Sequence, residues 1–416
     1  MFSIYTLGLW LGVSFSLPLG IIHPKIKHYI KNRLGHHLNY PFFSNQPVWF
    51  HALSVGEVLS VVPLVKAFKK RYSEISIFFT ASTLTGHEMA KKQLKDIADA
   101  INYFPLDFPN VINHYLKRIN PRLIIFTETD IWPNFLNIMH KNHIPTILIS
   151  ARISERSYKR YCLIKSWVSH VINHLEFIGA QREEDKRRFL GLGFKKEKIK
   201  VIGSLKFDLP LPDLGQKTLI RKELNISLKQ TIWIAGSTHR GEDEIILKVH
   251  RALLSLFPNL CLIIAPRHPE RFDEVTALSL KMGFRTKRRT EDKKGDYEVI
   301  VLDTLGELAK AYGISHFAFV GGSFVPIGGH NPLEVAVWAR PVIFGPYMFN
   351  FSEIAKMLVE NKAAIEVKDE KMLFQVCRFL LEDKSAAEII GEQGRKLVTA
   401  HQGVIEHYLK LIEKWI

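Results

Sequence analysis

Cysteine is scarce in this chain: Cys162, Cys261 and Cys377 are the only three among 416 residues, widely separated and without a CxxC pair. Such spacing excludes a disulfide framework and a cysteine zinc site, and leaves buried thiols in a reducing compartment. None of the 18 histidines falls in an HExxH arrangement, and no carboxylate run has calcium-loop spacing, so a protein-built metal site is not expected. RNP patterns, zinc-finger spacings and other nucleic-acid reader motifs are missing too. Charge of either sign is absent from Met1 to Ile22.

What is present is an excess of positive charge, 57 Lys and Arg against 41 Asp and Glu for a net +16. A polyanion partner follows from that balance: phosphorylated lipid or anionic membrane, since no motif supports nucleic acid. The uncharged stretch FSIYTLGLWLGVSFSLPLGII has about the length that spans a hydrocarbon core of roughly 30 Å. It has neither the basic start nor the small-residue cleavage site of a signal peptide. Lys25, Lys27, Lys31 and Arg33 follow it, so residues 1–24 are expected to anchor the chain in a membrane with the body on the cytoplasmic side. Packing of this helix on the soluble body is the alternative, because Gly8, Gly12, Pro18 and Gly20 weaken it.

From Val48 onward short apolar runs alternate with amphipathic stretches: VWFHAL, GEVLSVVPLVKAFKKRY, ISIFFTA, INYFPL, LIIFTET, TILISAR and FIGAQ. Strands apolar on both faces and separated by helices predict a parallel sheet covered on both sides. FDLPLPDLGQK breaks both periodicities with two prolines and a glycine, and marks an interdomain connection. The alternation then restarts with TIWIAGS, LCLIIAPR, YEVIVLD, FAFVGG and PVIFG. The expected fold is α/β, with two doubly wound Rossmann-like domains facing a cleft, over 25–208 and 209–416. The last helix is left free to pack back on the first domain.

Ligands of such sheets bind beyond the carboxyl ends of strands. There the chain carries Glu57, between HALS and a helix start, as a candidate general base or else a helix-capping carboxylate. Glu128 and Asp130 follow LIIF, and Lys206 sits at the connection, where a cation would stabilise a departing phosphate. Gly236-Ser237-Thr238, Gly321-Gly322-Ser323 and Gly328-Gly329-His330 suggest a nucleotide phosphate cradle, the last opening a helix. Arg267 and His268 are placed to meet a phosphate or base, and Glu334 to accept from a ribose.

The ordered series HALSVGEVLSVVPLVKAF, TASTLTGHEMAKK, ETDIWPNFL, SARISERSYKRY, IGSLKFD, AGSTHRGEDEIIL, APRHPERF, DTLGELAKAYGISHFAFVGGSF and GGHNPLEVA resembles the 3-deoxy-D-manno-octulosonic acid (Kdo) transferase family of lipopolysaccharide synthesis over nearly the whole chain. The resemblance implies a GT-B fold and an inverting, metal-independent glycosyltransferase with no cofactor. CMP-Kdo would be the donor and a lipid A precursor (lipid IVA) the acceptor, at the inner membrane beside anionic lipid. It makes Glu57 the proton acceptor and Glu128 and Lys206 transition-state stabilisers. It assigns CMP to Pro266 and Arg267, to Gly306, Glu307 and Leu308, and to Asn331, Pro332, Leu333 and Glu334. Asp130 departs from the pattern, which has Glu there. Two rivals remain: another membrane-associated GT-B transferase or an epimerase using a UDP-sugar, and a membrane-tethered polyanion-binding protein with vestigial clefts.

Overall fold

The computed structural model describes residues 2, 4–10, 24–35, 43, 45–224, 226–227, 229–291 and 295–416. The chain forms two compact units, Met1–Asp208 with Gly403–Ile416, and Leu209–Gln402. Most of the expected anchor, residues 11–23, lies outside the described residues. Among the described residues no helix is long and apolar enough to cross a membrane. Residues 4–10 are helical, and this segment touches the first unit: Trp10 lies 4.5 Å from Phe108, ring to ring, and Thr6 Oγ1 accepts from Asn134 Nδ2 at 2.8 Å.

In the first unit β1 (Val48–Ala52), β2 (Ile77–Ala81), β3 (Ala100–Tyr103), β4 (Leu123–Thr127), β5 (Thr146–Ala151), β6 (Phe177–Ala180) and β7 (Ile199–Val201) form one sheet in the order β3-β2-β1-β4-β5-β6-β7. All its pairings are parallel. Trp49, Phe78, Phe126 and Leu148 fill one core, while their strand neighbours Val48, Phe50, Phe79 and Ile125 fill the other. Alternate residues of each strand are therefore buried on opposite faces, which is why the runs read as continuously apolar. The chain winds outward in both directions from β1 and β4, so the switch-point crevice opens at their carboxyl ends.

The second unit repeats the plan with β8 (Thr231–Thr238), β9 (Leu260–Pro266), β10 (Thr286–Arg288), β11 (Val299–Val301), β12 (Ala318–Val320), β13 (Val342–Phe344) and β14 (Ala364–Glu366). Their order is β10-β11-β9-β8-β12-β13-β14, with the switch between β8 and β12.

Gly403–Ile416 belongs to the first unit rather than closing the second. Asp208 accepts from the Gly403 N–H at 2.6 Å and from that of Ile405, turning the chain into the helix Val404–Ile412. On that helix Tyr408 is fully buried, accepts from the Ser150 N–H at 2.7 Å and donates to the Gly179 carbonyl at 3.0 Å. A Cβ at Gly179 would stand 2.6 Å from the Tyr408 ring, so only glycine admits this contact.

Candidate active site

The first cluster grows from the carboxyl ends of β1, β4 and β5. After β1 the chain turns into the helix Val55–Arg71, whose N-cap Ser54 makes no side-chain cap. Glu57, in the first turn, reaches back instead, and its Oε2 accepts from the Leu53 N–H at 2.7 Å. One oxygen thus does a capping job, while Oε1 makes no hydrogen bond among the described residues. Glu57 is 6% exposed. Burial, then the charges of Asp130 and Glu128, raise its pKa to about 9 against the opposing pull of the Leu53 N–H and Arg152.

Glu128 has the opposite environment. Its backbone takes φ +60, a left-handed conformation costly for a residue with a Cβ, held by the Glu128 N–H to Ile149 and the Arg152 N–H to the Glu128 carbonyl, each 3.0 Å. The buried carboxylate meets Arg152 Nε at 2.8 Å through Oε2 and Lys206 Nζ at 2.9 Å through Oε1. Burial would raise its pKa, but Lys206 and Arg152 prevail and hold it below the usual carboxylate range. Asp130, likewise buried, stands 3.0 Å from His51 Nε2. Thr80 holds the other ring nitrogen of His51, with contacts of 3.0 Å to its carbonyl and 2.9 Å to its hydroxyl.

Glu57, Glu128 and Lys206 therefore gather in one crevice, one acid with its pKa raised and the other with its pKa lowered. Sequence reasoning missed Arg152 and His51 as members, although both flank strand ends already singled out, in SAR and HALS.

The second cluster lies at the carboxyl ends of β8, β9 and β12, and here the glycine reading needs correction. The N–H groups of Gly322, Ser323 and Phe324 are not turned to a phosphate. They donate to Glu242 at 2.7, 3.0 and 2.9 Å, and the His239 N–H adds a fourth bond at 2.9 Å. Glu242 is 0% exposed; burial leaves its pKa above the usual value, against the pull of those four donors. The glycines serve close packing. A Cβ at Gly236 would stand 1.9 Å from the Tyr312 hydroxyl, one at Gly321 2.5 Å from the Ser237 carbonyl, and one at Gly329 2.2 Å from Met348 Sδ. The helix expected after Gly328-Gly329-His330 is a single turn, Leu333–Ala336.

Of the other predicted residues, Arg267 and Glu334 act on each other. Arg267 follows β9 with an exposed side chain, its N–H donating to Thr238 at 3.0 Å, and acts electrostatically on Glu334, whose pKa burial raises and Arg267 opposes. Asn331 Oδ1 accepts from the Leu333 N–H at 3.1 Å, and Pro332 and Leu333 are buried. Pro266 ends β9. Gly306 takes φ +91 with open space around its Cβ position. Glu307 is tied to Arg289 at 3.2 Å and to the Thr304 hydroxyl, and Leu308 begins a turn whose Ala309 carbonyl accepts from Trp338 at 2.6 Å.

Beside Arg267 stands a group that sequence reasoning passed over in part: His239 and His330 touch Nε2 to Nε2 at 2.9 Å, and the His268 ring packs edge-on to His239 at 5.4 Å. Burial lowers His239 to about 4 and His330 to about 3, with Arg267 and His268 adding to both. These imidazoles and the guanidinium suit an anion that would supply the missing negative charge.

Residues 28–209 match the family model described as 3-Deoxy-D-manno-octulosonic-acid transferase (kdotransferase). A 3-deoxy-D-manno-octulosonic acid transferase of Haemophilus influenzae is 39% identical over 405 residues, covering 96% of this chain and 94% of that protein. A bifunctional glycosyltransferase/methyltransferase of Fusobacterium nucleatum is 35% identical over 386 residues, 91% of this chain but 59% of its own length. In fold the chain is similar to MurG of Acinetobacter baumannii, with TM-score 0.58 and 15% identity over 89% of this chain and 100% of the other. That likeness and the two parallel sheets make the fold class α/β of the GT-B kind.

Proposed function

The chain belongs to the Kdo transferase family, and from that premise we propose that it moves Kdo from CMP-Kdo to the lipid A precursor lipid IVA, with inversion and without a metal ion. The observation that carries the chemistry is the pairing of a buried Glu57, raised and with Oε1 unengaged, with a Glu128 clamped by Lys206 and Arg152. Ionised Glu57 takes the proton of an acceptor hydroxyl as its oxygen bonds to the anomeric carbon. The bond from that carbon to the CMP phosphate oxygen breaks, and the electron pair departs with CMP. Burial makes Glu57 a stronger base than an exposed carboxylate once it is ionised. Glu128 faces the positive charge that develops on the sugar, and Lys206 the negative charge that leaves it.

Pro266 and Arg267, Gly306 to Leu308 and Asn331 to Glu334 hold the nucleotide. The amino-terminal segment holds the body on the cytoplasmic face of the inner membrane, and the excess of basic residues favours its anionic lipid.

The test is incubation of the full chain with freshly made CMP-Kdo and lipid IVA, with and without a chelator, reading products by mass spectrometry. Acceptor gaining Kdo mass in both samples supports the assignment. Consumption of a UDP-sugar with none of CMP-Kdo would refute it. A second expected result concerns CMP alone. A phosphate beside Arg267 raises the pKa of His239 and His330 toward neutrality, so binding takes up protons and tightens as pH falls from about 8 to about 6. Calorimetry in buffers of different ionisation enthalpy measures that uptake, and a pH-independent affinity would remove the imidazoles from the phosphate site.

A further inference from the structure

At the opposite end of the second sheet lies a feature that none of this chemistry uses. The segments entering β12 and β13 and the helices Lys217–Glu223 and Lys384–Ala400 enclose a cavity of about 260 Å³. Its wall carries Lys217, Arg221, His316, Arg340 and Lys384, against the single acid Glu388. Among the described residues none of those four Lys and Arg side chains pairs with a carboxylate within 4.0 Å. Arg221 spends its nitrogens on the Ser227 and Gln230 carbonyls at 2.6 and 3.0 Å. Arg340 gives one nitrogen to the Gly313 carbonyl at 3.0 Å, while its Nε is buried with no acceptor.

The fold brings these cations together by close packing. Ala339 turns at φ +53, and a Cβ at Gly391 would stand 2.2 Å from the Ala339 carbonyl, so glycine lets the helix bearing Lys384 lie directly on the turn that delivers Arg340. Burial lowers the pKa of Lys217, with Arg340 adding to it and Glu388 and Glu392 opposing. Burial lowers Arg340 too, opposed by Glu388 and reinforced by Arg221, and takes His316 to about 4. Like charges are thus concentrated in a partly enclosed space, and an anion relieves that cost.

We propose that this cavity is a binding site for a small anion of the phosphate class, separate from the site that holds the nucleotide. Two observations carry it: cations converging from several elements, and the absence, among the described residues, of a carboxylate within 4.0 Å of any of the four Lys and Arg side chains. Guanidinium forks match phosphate oxygens in pairs. The volume falls below the roughly 300–1,000 Å³ of pockets that take drug-sized ligands, which points to inorganic phosphate or pyrophosphate rather than a nucleotide.

The experiment titrates the full chain with inorganic phosphate and, separately, pyrophosphate at constant ionic strength, in the presence of saturating CMP, following thermal unfolding and heat. Wild type is expected to show saturable binding and a rise in Tm. Lys384→Glu, at an exposed position, places a carboxylate in the cavity; it is expected to weaken the anion at least tenfold and to raise Tm in its absence. Arg267→Ala is expected to bind the anion as wild type does. No saturable binding to wild type, or equal binding to Lys384→Glu, would overturn the proposal. Loss of binding in Arg267→Ala would overturn it as well, by assigning the anion to the nucleotide end.

Discussion

Glu57→Gln is expected to lower transfer by at least about 10²-fold, and by up to about 10⁴-fold, the usual worth of a positioned general base, while making the folded chain more stable at neutral and alkaline pH. The two effects share one cause. Burial and the neighbouring Asp130 and Glu128 lift the Glu57 pKa to about 9, whereas an unfolded Glu titrates near about 4.3. Between those values the folded chain holds a proton that the unfolded chain has lost. Stability is therefore full below the unfolded pKa and declines as pH rises through the folded one, by at most about 1.4 kcal/mol per pH unit.

Glutamine mimics the protonated acid, keeps an oxygen for the Leu53 N–H, and does not titrate. Tm should consequently fall more steeply in wild type than in Glu57→Gln between about pH 5 and pH 9. Transfer by wild type should rise with pH across the same window, because only the ionised carboxylate accepts a proton. A glutamine variant retaining transfer within tenfold would dismiss Glu57 as the base. A Tm difference that ignores pH would mean that the folded carboxylate is already ionised.

The second large effect is one of folding. Glu242→Ala should destabilise the second unit by more than about 4 kcal/mol. Its carboxylate is the acceptor for the N–H groups of His239, Gly322, Ser323 and Phe324, and each buried donor left unsatisfied costs about 1–3 kcal/mol. Losses on that scale approach the whole stability of an ordinary domain. Glu242→Gln keeps one oxygen but turns an NH₂ toward the remaining donors, so an intermediate loss is expected. Urea unfolding of both variants measures this, and an alanine variant within 1 kcal/mol of wild type would show that water or a rearranged loop satisfies the donors instead.

That carboxylate also explains why the glycine motifs misled. A glycine after a strand admits either a ligand or a neighbouring chain, and nothing local separates the two. At Gly236 and Gly321 the close neighbours are Tyr312 and the Ser237 carbonyl. The acceptor for the Gly322 N–H comes from Glu242, far away in sequence. Glu57 was legible for the converse reason: a carboxylate at the junction of a strand and a helix projects at the carboxyl end of a parallel sheet whatever the rest of the fold does.

By itself the amino-acid sequence determined the fold class and the ends of the strands at which charged side chains collect, because apolar period and helix alternation are local properties of the backbone. It marked Glu57, Glu128, Lys206 and Arg267 by their positions on that pattern. Only the tertiary structure decided that β1 lies beside β4, bringing Glu57 under the charge of Glu128 and Asp130. It alone added Arg152 and Lys206 to one carboxylate, paired His239 with His330, and committed the glycine-loop N–H groups to Glu242. Protonation and hydrogen-bond satisfaction depend on burial and on neighbours within a few ångströms, and those distances do not exist until the chain has folded.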